Sequence, residues 1–323
     1  MHCEERGIIG GDLTVMGVKN DYSYLVGTFT KGLKLIEDCY IKYSAVLPGV
    51  LRDIIYIPDL NSYFLSHSGQ LWRKDINDSP PYVFMNVFCG CWTGASFQYS
   101  TLHKRLIVNR DNTTISAINL EAREVEIEVY KNFGEEINFF KLFGEHENRV
   151  ISVTKDSLIS LYQLDYGRKQ GEIISQFQFP VDDSREQRIK SASICPKSEY
   201  ILIEIGQICQ PSHCSRMAIA RLSDKNLTVI KCVDLLNQNL GAKLALECFG
   251  YIGSRVLWVG LTQENYAQAQ VYELNSKTGV FRELVSMRAE VHVQYPMKIQ
   301  KDDRDGYFYF VGSQGKIKRV FIR

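Results

Sequence analysis

The sequence predicts an all-β chain, a seven-bladed β-propeller of four-stranded antiparallel blades. Three observations carry that reading. One apolar pentamer type recurs seven times along the 323 residues, a second apolar run follows each copy across a short turn, and a more polar run closes six of the seven units. Helix signals are almost absent, "VDLLNQNLGAKL" from Val233 being the best candidate.

The pentamers read "YLVGT" at Tyr24, "YFLSH" at Tyr63, "RLIVN" at Arg105, "RVISV" at Arg149, "YILIE" at Tyr200, "RVLWV" at Arg255 and "YFYFV" at Tyr307. Their starts lie 39, 42, 44, 51, 55 and 52 residues apart. A short, nearly continuous run of Val, Ile, Leu and aromatics suits a strand buried on both faces. The partner runs are "GLKLIED", "QLWRKDI", "TISAINL", "LISLYQL", "MAIARLS", "AQVYELN" and "KIKRVFI", reached through turn formers such as Ser68-Gly69 and Asp111-Asn112. Start-to-start spacing is 7 to 9 residues in five units, 17 in the fifth and 14 in the sixth, so those two hairpins are expected to carry insertions.

The third run is outermost. In "REVEIEVY", Glu124, Glu126 and Glu128 are expected to face water and Val125, Ile127 and Val129 the neighbouring strand. A fourth run precedes each pentamer, as in "RDIIYIPDLNS", "KSASICPKSE" and "YPMKIQKDDRD", with Pro58 and Pro196 where a strand should stop. The seventh unit ends with its third strand, and "RGIIGG" near the N-terminus is expected to close the ring as its outer strand. The units fall at about 12–48, 49–90, 91–133, 134–180, 186–236, 243–288 and 291–323 plus 5–11, one domain over 1–323. A β-sandwich or two smaller β domains is the alternative; no Gly/Pro/Ser-rich linker divides the chain.

The four-strand units resemble WD40-type propellers over essentially the whole chain. The resemblance is one of pattern. The Gly-His pair is missing in every unit, and no third strand ends in Trp-Asp; "LWRKDI" comes nearest, with Trp72 and Asp75 displaced. The buried network that the family builds on its His and Asp is therefore not carried over.

Composition narrows function. Basic and acidic residues number 38 and 37, so no bulk attraction to nucleic acid or anionic membrane is expected. No uncharged apolar run has the length of a membrane span, and Met1 to Gly11 lacks the apolar centre of a signal peptide. Nine scattered cysteines then read as reduced thiols in a cytosolic or nuclear protein, with the sequons at Asn77, Asn112 and Asn226 unused.

Ser66, His67 and Ser68 look like a catalytic cluster, but neighbours on a strand point to opposite faces, and no Gly-x-Ser-x-Gly elbow is present. They read as a strand end and turn, with His67 near a rim where partners dock. Cys89 and Cys91 read as structural thiols. Cys209, His213 and Cys214 are three soft ligands in six residues, a candidate metal set without a standard spacing or a placed fourth ligand. No phosphate loop, zinc-protease motif or dinucleotide fingerprint occurs, and no cofactor is implied.

Partner binding is expected on the face formed by the starts of the first strands and the turns between second and third strands, where loops converge on a rigid scaffold. The residues before the first strands there are Arg52, Asn138, Lys190 and Tyr295, with Trp92 and Arg188 close by, a set rich in binding hot-spot types. Gln263, Asn265 and Tyr266 are expected to stand above the same face. Leu120–Val150 holds eight acidic and four basic residues, and Arg288–Arg323 eight basic and four acidic, a charge division that can orient a partner. The expected function is a non-catalytic protein-interaction scaffold within a larger complex. An enzyme or small-ligand binder using a central channel is the alternative, and nucleic-acid binding through Arg52, Arg188 and Lys190 a third.

Overall fold

The computed structural model contains seven antiparallel meanders. In chain order they are β1 Leu13–Asn20, β2 Ser23–Thr28, β3 Gly32–Glu37 and β4 Tyr40–Ala45; β5 Leu51–Ile57, β6 Ser62–His67, β7 Gln70–Asp75 and β8 Tyr82–Met85; and β9 Phe97–Ser100, β10 Arg105–Arg110, β11 Thr114–Asn119 and β12 Glu126–Asn132. Next come β13 Ile137–Phe143, β14 Arg149–Thr154, β15 Leu158–Asp165 and β16 Gln170–Gln178; then β17 Gln187–Ile194, β18 Tyr200–Gln207, β19 Cys214–Leu222 and β20 Leu227–Asp234. The sixth sheet is β21 Ala245–Ile252, β22 Arg255–Glu264, β23 Tyr266–Asn275 and β24 Phe281–Arg288, and a three-stranded seventh is β25 Lys298–Lys301, β26 Tyr307–Val311 and β27 Ile317–Phe321. Besides these strands the structure describes residues 38, 46–47, 58–61, 76–77, 79–81, 101–104, 113, 120, 134, 136, 144–148, 156–157, 166–169, 179–180, 223 and 226; beyond Cys232 it describes backbone alone. No α-helix occurs among the described residues.

Each pentamer is the second strand of its sheet, and its burial follows from its composition. All six residues of β6 are buried, and so are five of six in β14. The third strands β3 and β11 are nearly as enclosed, β7 has two of its six residues buried, and the outer strands β4 and β16 are mostly exposed. Pro58 opens a 3-10 turn over Pro58–Leu60, which ends on Asn61 in the left-handed region at φ 47°. Residues 5–11, Pro196 and most of the expected helix from Val233 lie outside the described residues; Val233 and Asp234 themselves end β20.

The chain groups into two compact units. Met1–Phe88, Asn265–Ala269 and Met287–Arg323 form the first, Cys89–Glu264 and Gln270–Ser286 the second. In the first, Leu25, Leu33, Leu35, Leu51, Ile54, Tyr63 and Leu65 make one apolar cluster between the first two sheets. Gly17 on β1 allows this approach, because a Cβ there would lie 2.5 Å from Ile54 Cγ2. Gly32 has φ +75°, and a Cβ there would overlap the Ala45 carbonyl oxygen. Tyr63 is fully enclosed, and burial pushes its phenol well above the ordinary range. Lys74, also enclosed, donates to the carbonyls of Asp75 and Asn77 and sits 4.6 Å from the centroid of the Tyr43 ring. Within this unit β1 also runs against β25 and β26.

In the second unit two clusters share the fourth sheet. Ile137, Phe140 and Leu142 of β13 belong to one, with Ile107, Ala117, Val150 and Tyr162. Ile189, Ala192 and Ile194 of β17 belong to the other, with Ile151, Ile159, Ile203 and Ala218. Both triplets step by three residues and then by two, so each strand gains one residue relative to a plain pleat. The outer strands are irregular too. In the five outer pairings with described register, Lys42, Phe84, Tyr130, Ile174 and Ile230 are each an extra residue beside the third strand.

Candidate functional site

The extra residue in the inner strands is the recurring feature of one strand end. Leu51 pairs with His67 and Asp53 with Ser66, which leaves Arg52 as a bulge. Thr14 is the same bulge in β1, between Leu13 opposite Thr28 and Val15 opposite Gly27. In the second unit Asn138 is skipped between Ile137 and Phe139, and Lys190 between Ile189 and Ser191. A bulge bends its strand, raises the local twist and re-aims a side chain, and bulges concentrate at rims and beside functional sites.

Two of these bulges are pinned by a polar side chain. Ser157, fully buried in the β14–β15 turn, accepts a hydrogen bond from the Ile189 N–H at 3.2 Å, one residue before Lys190. Asn109 on β10, also fully buried, donates a long 3.5 Å bond to the Ile137 carbonyl, one residue before Asn138. In both cases the pinned residue is the one whose apolar side chain anchors the strand in the core. β13 and β17 pack directly on one another, so Asn138 and Lys190 stand at one end of adjacent strands, with Arg188 two residues ahead of Lys190.

The sequence-predicted residues divide as follows. Arg52, Asn138, Arg188 and Lys190 are strand residues, not loop residues ahead of the strands, because the bulge lets each strand begin before them. Trp92, Tyr295, Cys209 and His213 lie outside the described residues, and Cys214 opens β19 opposite Gly206. Among the described residues no three His, Cys, Asp or Glu side chains are grouped to hold a metal. His67 ends β6 opposite Leu51 and Gln70, beside the Arg52 bulge; it is 3% exposed, and Trp72 meets its ring edge-on at 5.7 Å. Ser66 is fully buried beside it. The sixth sheet takes up its extra residues as strand, β22 and β23 having 10 residues each, so Gln263 and Tyr266 are strand residues and not part of a long turn.

At the other strand end of the second unit is a site that sequence reasoning missed. The Glu147 carboxylate, in the β13–β14 turn, accepts from Ser100 Oγ at 2.8 Å, Thr101 Oγ1 at 2.9 Å and the Leu102 N–H at 3.0 Å, all in or beside the β9–β10 turn. Glu147 adopts φ 45°, which aims it across. His103 Nε2 lies 2.9 Å from the His146 carbonyl, and its ring stacks on Tyr166 with centroids 3.9 Å apart. Tyr166 in turn donates to the Glu147 carbonyl at 2.8 Å. An open cavity of about 390 Å³ adjoins this clasp, lined by His103, Asn148, Gln163, Leu164, Asp165, Tyr166 and Gly167. The only sequence signal is the acidic span Leu120–Val150, which includes Glu145 and Glu147.

The first unit has a smaller polar cluster at the matching strand end. Asp75 is the acceptor for Arg73 Nε at 2.6 Å and lies 2.5 Å from Ser62 Oγ. Desolvation opposes its charge, but the bonds from Ser62 and Arg73 and the Arg73 and Lys74 charges outweigh that and hold the carboxyl below its ordinary value.

No protein-family model matches the sequence, and no curated protein matches it. Solved structures do. The β-propeller domain of Myceliophteria thermophila Cps50 (Swd1) aligns with a TM-score of 0.62 at 10% identity over 98% of each chain. The WD40 β-propeller domain of Doa1 aligns at 0.60 and 12% identity, over 97% of this chain and 93% of that one. A chain of the S. cerevisiae assembly of Dbp5 with Nup159, Gle1, IP6 and ADP aligns at 0.63 and 11% identity, over 97% and 90%.

Proposed function

We propose that this chain, whose fold is that of the WD40-like β-propellers, is a non-catalytic protein-interaction scaffold. Its seven sheets act as the blades of one ring over residues 1–323, with residues 5–11 completing the three-stranded last blade. A protein or peptide partner binds the face where the inner-strand bulges stand, through Arg52, Asn138, Arg188 and Lys190, joined by Trp92 and Tyr295 from neighbouring positions. The observation that carries this reading is the repeated bulge. Thr14 and Arg52 share one register in the first unit, and Asn138 and Lys190 share another, one residue further along the second strand, in the second unit. A bulge re-aims a side chain at a strand end, and side chains held on a rigid sheet serve recognition. That one similar structure is an assembly of several proteins supports a protein partner. A cytosolic or nuclear location fits the scattered cysteines.

The test is affinity purification of the full chain from its native source, with and without Arg52, Lys190 and Tyr295 substituted by Ala. The expected result is one or more stoichiometric partners, lost from the triple variant while its melting temperature is retained. A chain that elutes alone at monomer mass, or partners equally retained by the variant, would overturn the reading.

A further inference from the structure

The cavity beside the Glu147 clasp lies at the strand end opposite the bulges, within the second unit alone. Its lining mixes apolar surface with several polar side chains. The side-chain amides of Asn148 and Gln163 make no hydrogen bond among the described residues. Among the described lining residues Asp165 supplies the one carboxylate, and none is a lysine or arginine. One Asp165 oxygen accepts from the Arg168 N–H at 2.9 Å, and the other lies 3.7 Å from Arg168 Nε. That pair is loose, because the Arg168 side chain is 81% exposed and the Asp165 side chain 50%; exposed pairs of this kind hold weakly and exchange readily. The His103 and Tyr166 rings stack on one another at the cavity, which leaves their outer faces for a further stacking partner, and bonds to the His146 and Glu147 carbonyls keep them in place. The Glu147 clasp fixes the turn that bears His103.

A carboxylate, two amides without a hydrogen bond among the described residues and an outer aromatic face are complementary to a flat cation with several donors. A guanidinium forms planar bonds to carboxylate and amide oxygens and stacks on aromatic faces, whereas an ammonium is a compact, strongly hydrated point charge. The volume suits one long side chain with its flanking backbone. We propose that this cavity receives an arginine side chain presented by a partner polypeptide. It is a second recognition site, independent of the bulge face.

The test uses the full chain and N-acetyl-arginine methylamide as probe, titrated by ligand-observed NMR at low ionic strength beside its lysine and citrulline counterparts. Citrulline keeps the shape and removes the charge. The arginine compound should bind saturably, with citrulline about tenfold weaker. Asp165→Asn keeps an acceptor for the Arg168 N–H, so it should retain the melting temperature and reduce arginine binding to the citrulline level. Substituting Arg52 and Lys190 by Ala should change nothing, which separates this site from the bulge face. Absence of saturable binding would overturn the proposal, as would equal binding of citrulline or an unaffected Asp165→Asn variant. Equal binding of the lysine compound would overturn the choice of arginine.

Discussion

The two strand ends of the second unit hold their turns in opposite ways. At the bulge end a buried hydroxyl or amide meets backbone: Ser157 takes the Ile189 N–H, and Asn109 meets the Ile137 carbonyl. At the clasp end one carboxylate gathers three donors from the neighbouring turn, in contact with water. Buried pins are fixed because losing a partner strands a polar group away from solvent. Solvent-facing clasps are individually stronger bonds, charge-assisted, but water replaces them when they open. The second unit thus keeps one strand end rigid and the other exchangeable, and an open cavity sits at the exchangeable one.

Three substitutions break or sharpen that contrast. Ser157→Ala leaves the Ile189 N–H buried without its acceptor and should cost about 1–3 kcal/mol, read as a lower denaturation midpoint at unchanged m-value. Glu147→Gln preserves the shape of the clasp and removes its charge; about 1 kcal/mol is expected. If the two losses were equal, burial would not be what distinguishes the ends. Asp75, at the corresponding strand end of the first unit, gives the smallest effect and a sign. Its folded value is depressed, so its contribution is present above the unfolded value of about 4 and is lost as pH falls through the lower folded value. Asp75→Asn should therefore lower stability slightly at neutral pH and flatten the acid limb of a midpoint-versus-pH curve. A parallel displacement of the whole curve would count against the assignment.

The strands themselves were legible. A run such as Tyr63-Phe64-Leu65 has no polar position to turn toward water, so it is enclosed on both faces wherever it pairs, and β6 is. The bulges were half legible. Arg52, Asn138 and Lys190 were read as lying ahead of their strands, since a period of two breaks down there, and each is a bulge within its strand. The signal was present in the apolar positions Leu51, Ile54 and Tyr56, Ile137, Phe140 and Leu142, and Ile189, Ala192 and Ile194, each stepping by three and then two. His67 stands at the strand end where the sequence puts it, but its burial was not legible, because Trp72, which packs edge-on to it, lies on the next strand. The Glu147 clasp was invisible, because it joins turns 45 to 47 residues apart through side chains with no periodic signature.

The extra residues in the outer strands bear on behaviour at high concentration. An incoming strand from another molecule needs a regular ladder of exposed N–H and C=O groups. Lys42, Phe84, Tyr130, Ile174 and Ile230 each interrupt that ladder partway along an outer strand. Tyr40, Ile41, Tyr82, Val83, Ile173 and Val229 leave apolar surface on those same strands. The kinks keep that surface, described on four of the five strands, from becoming a template for fibre growth.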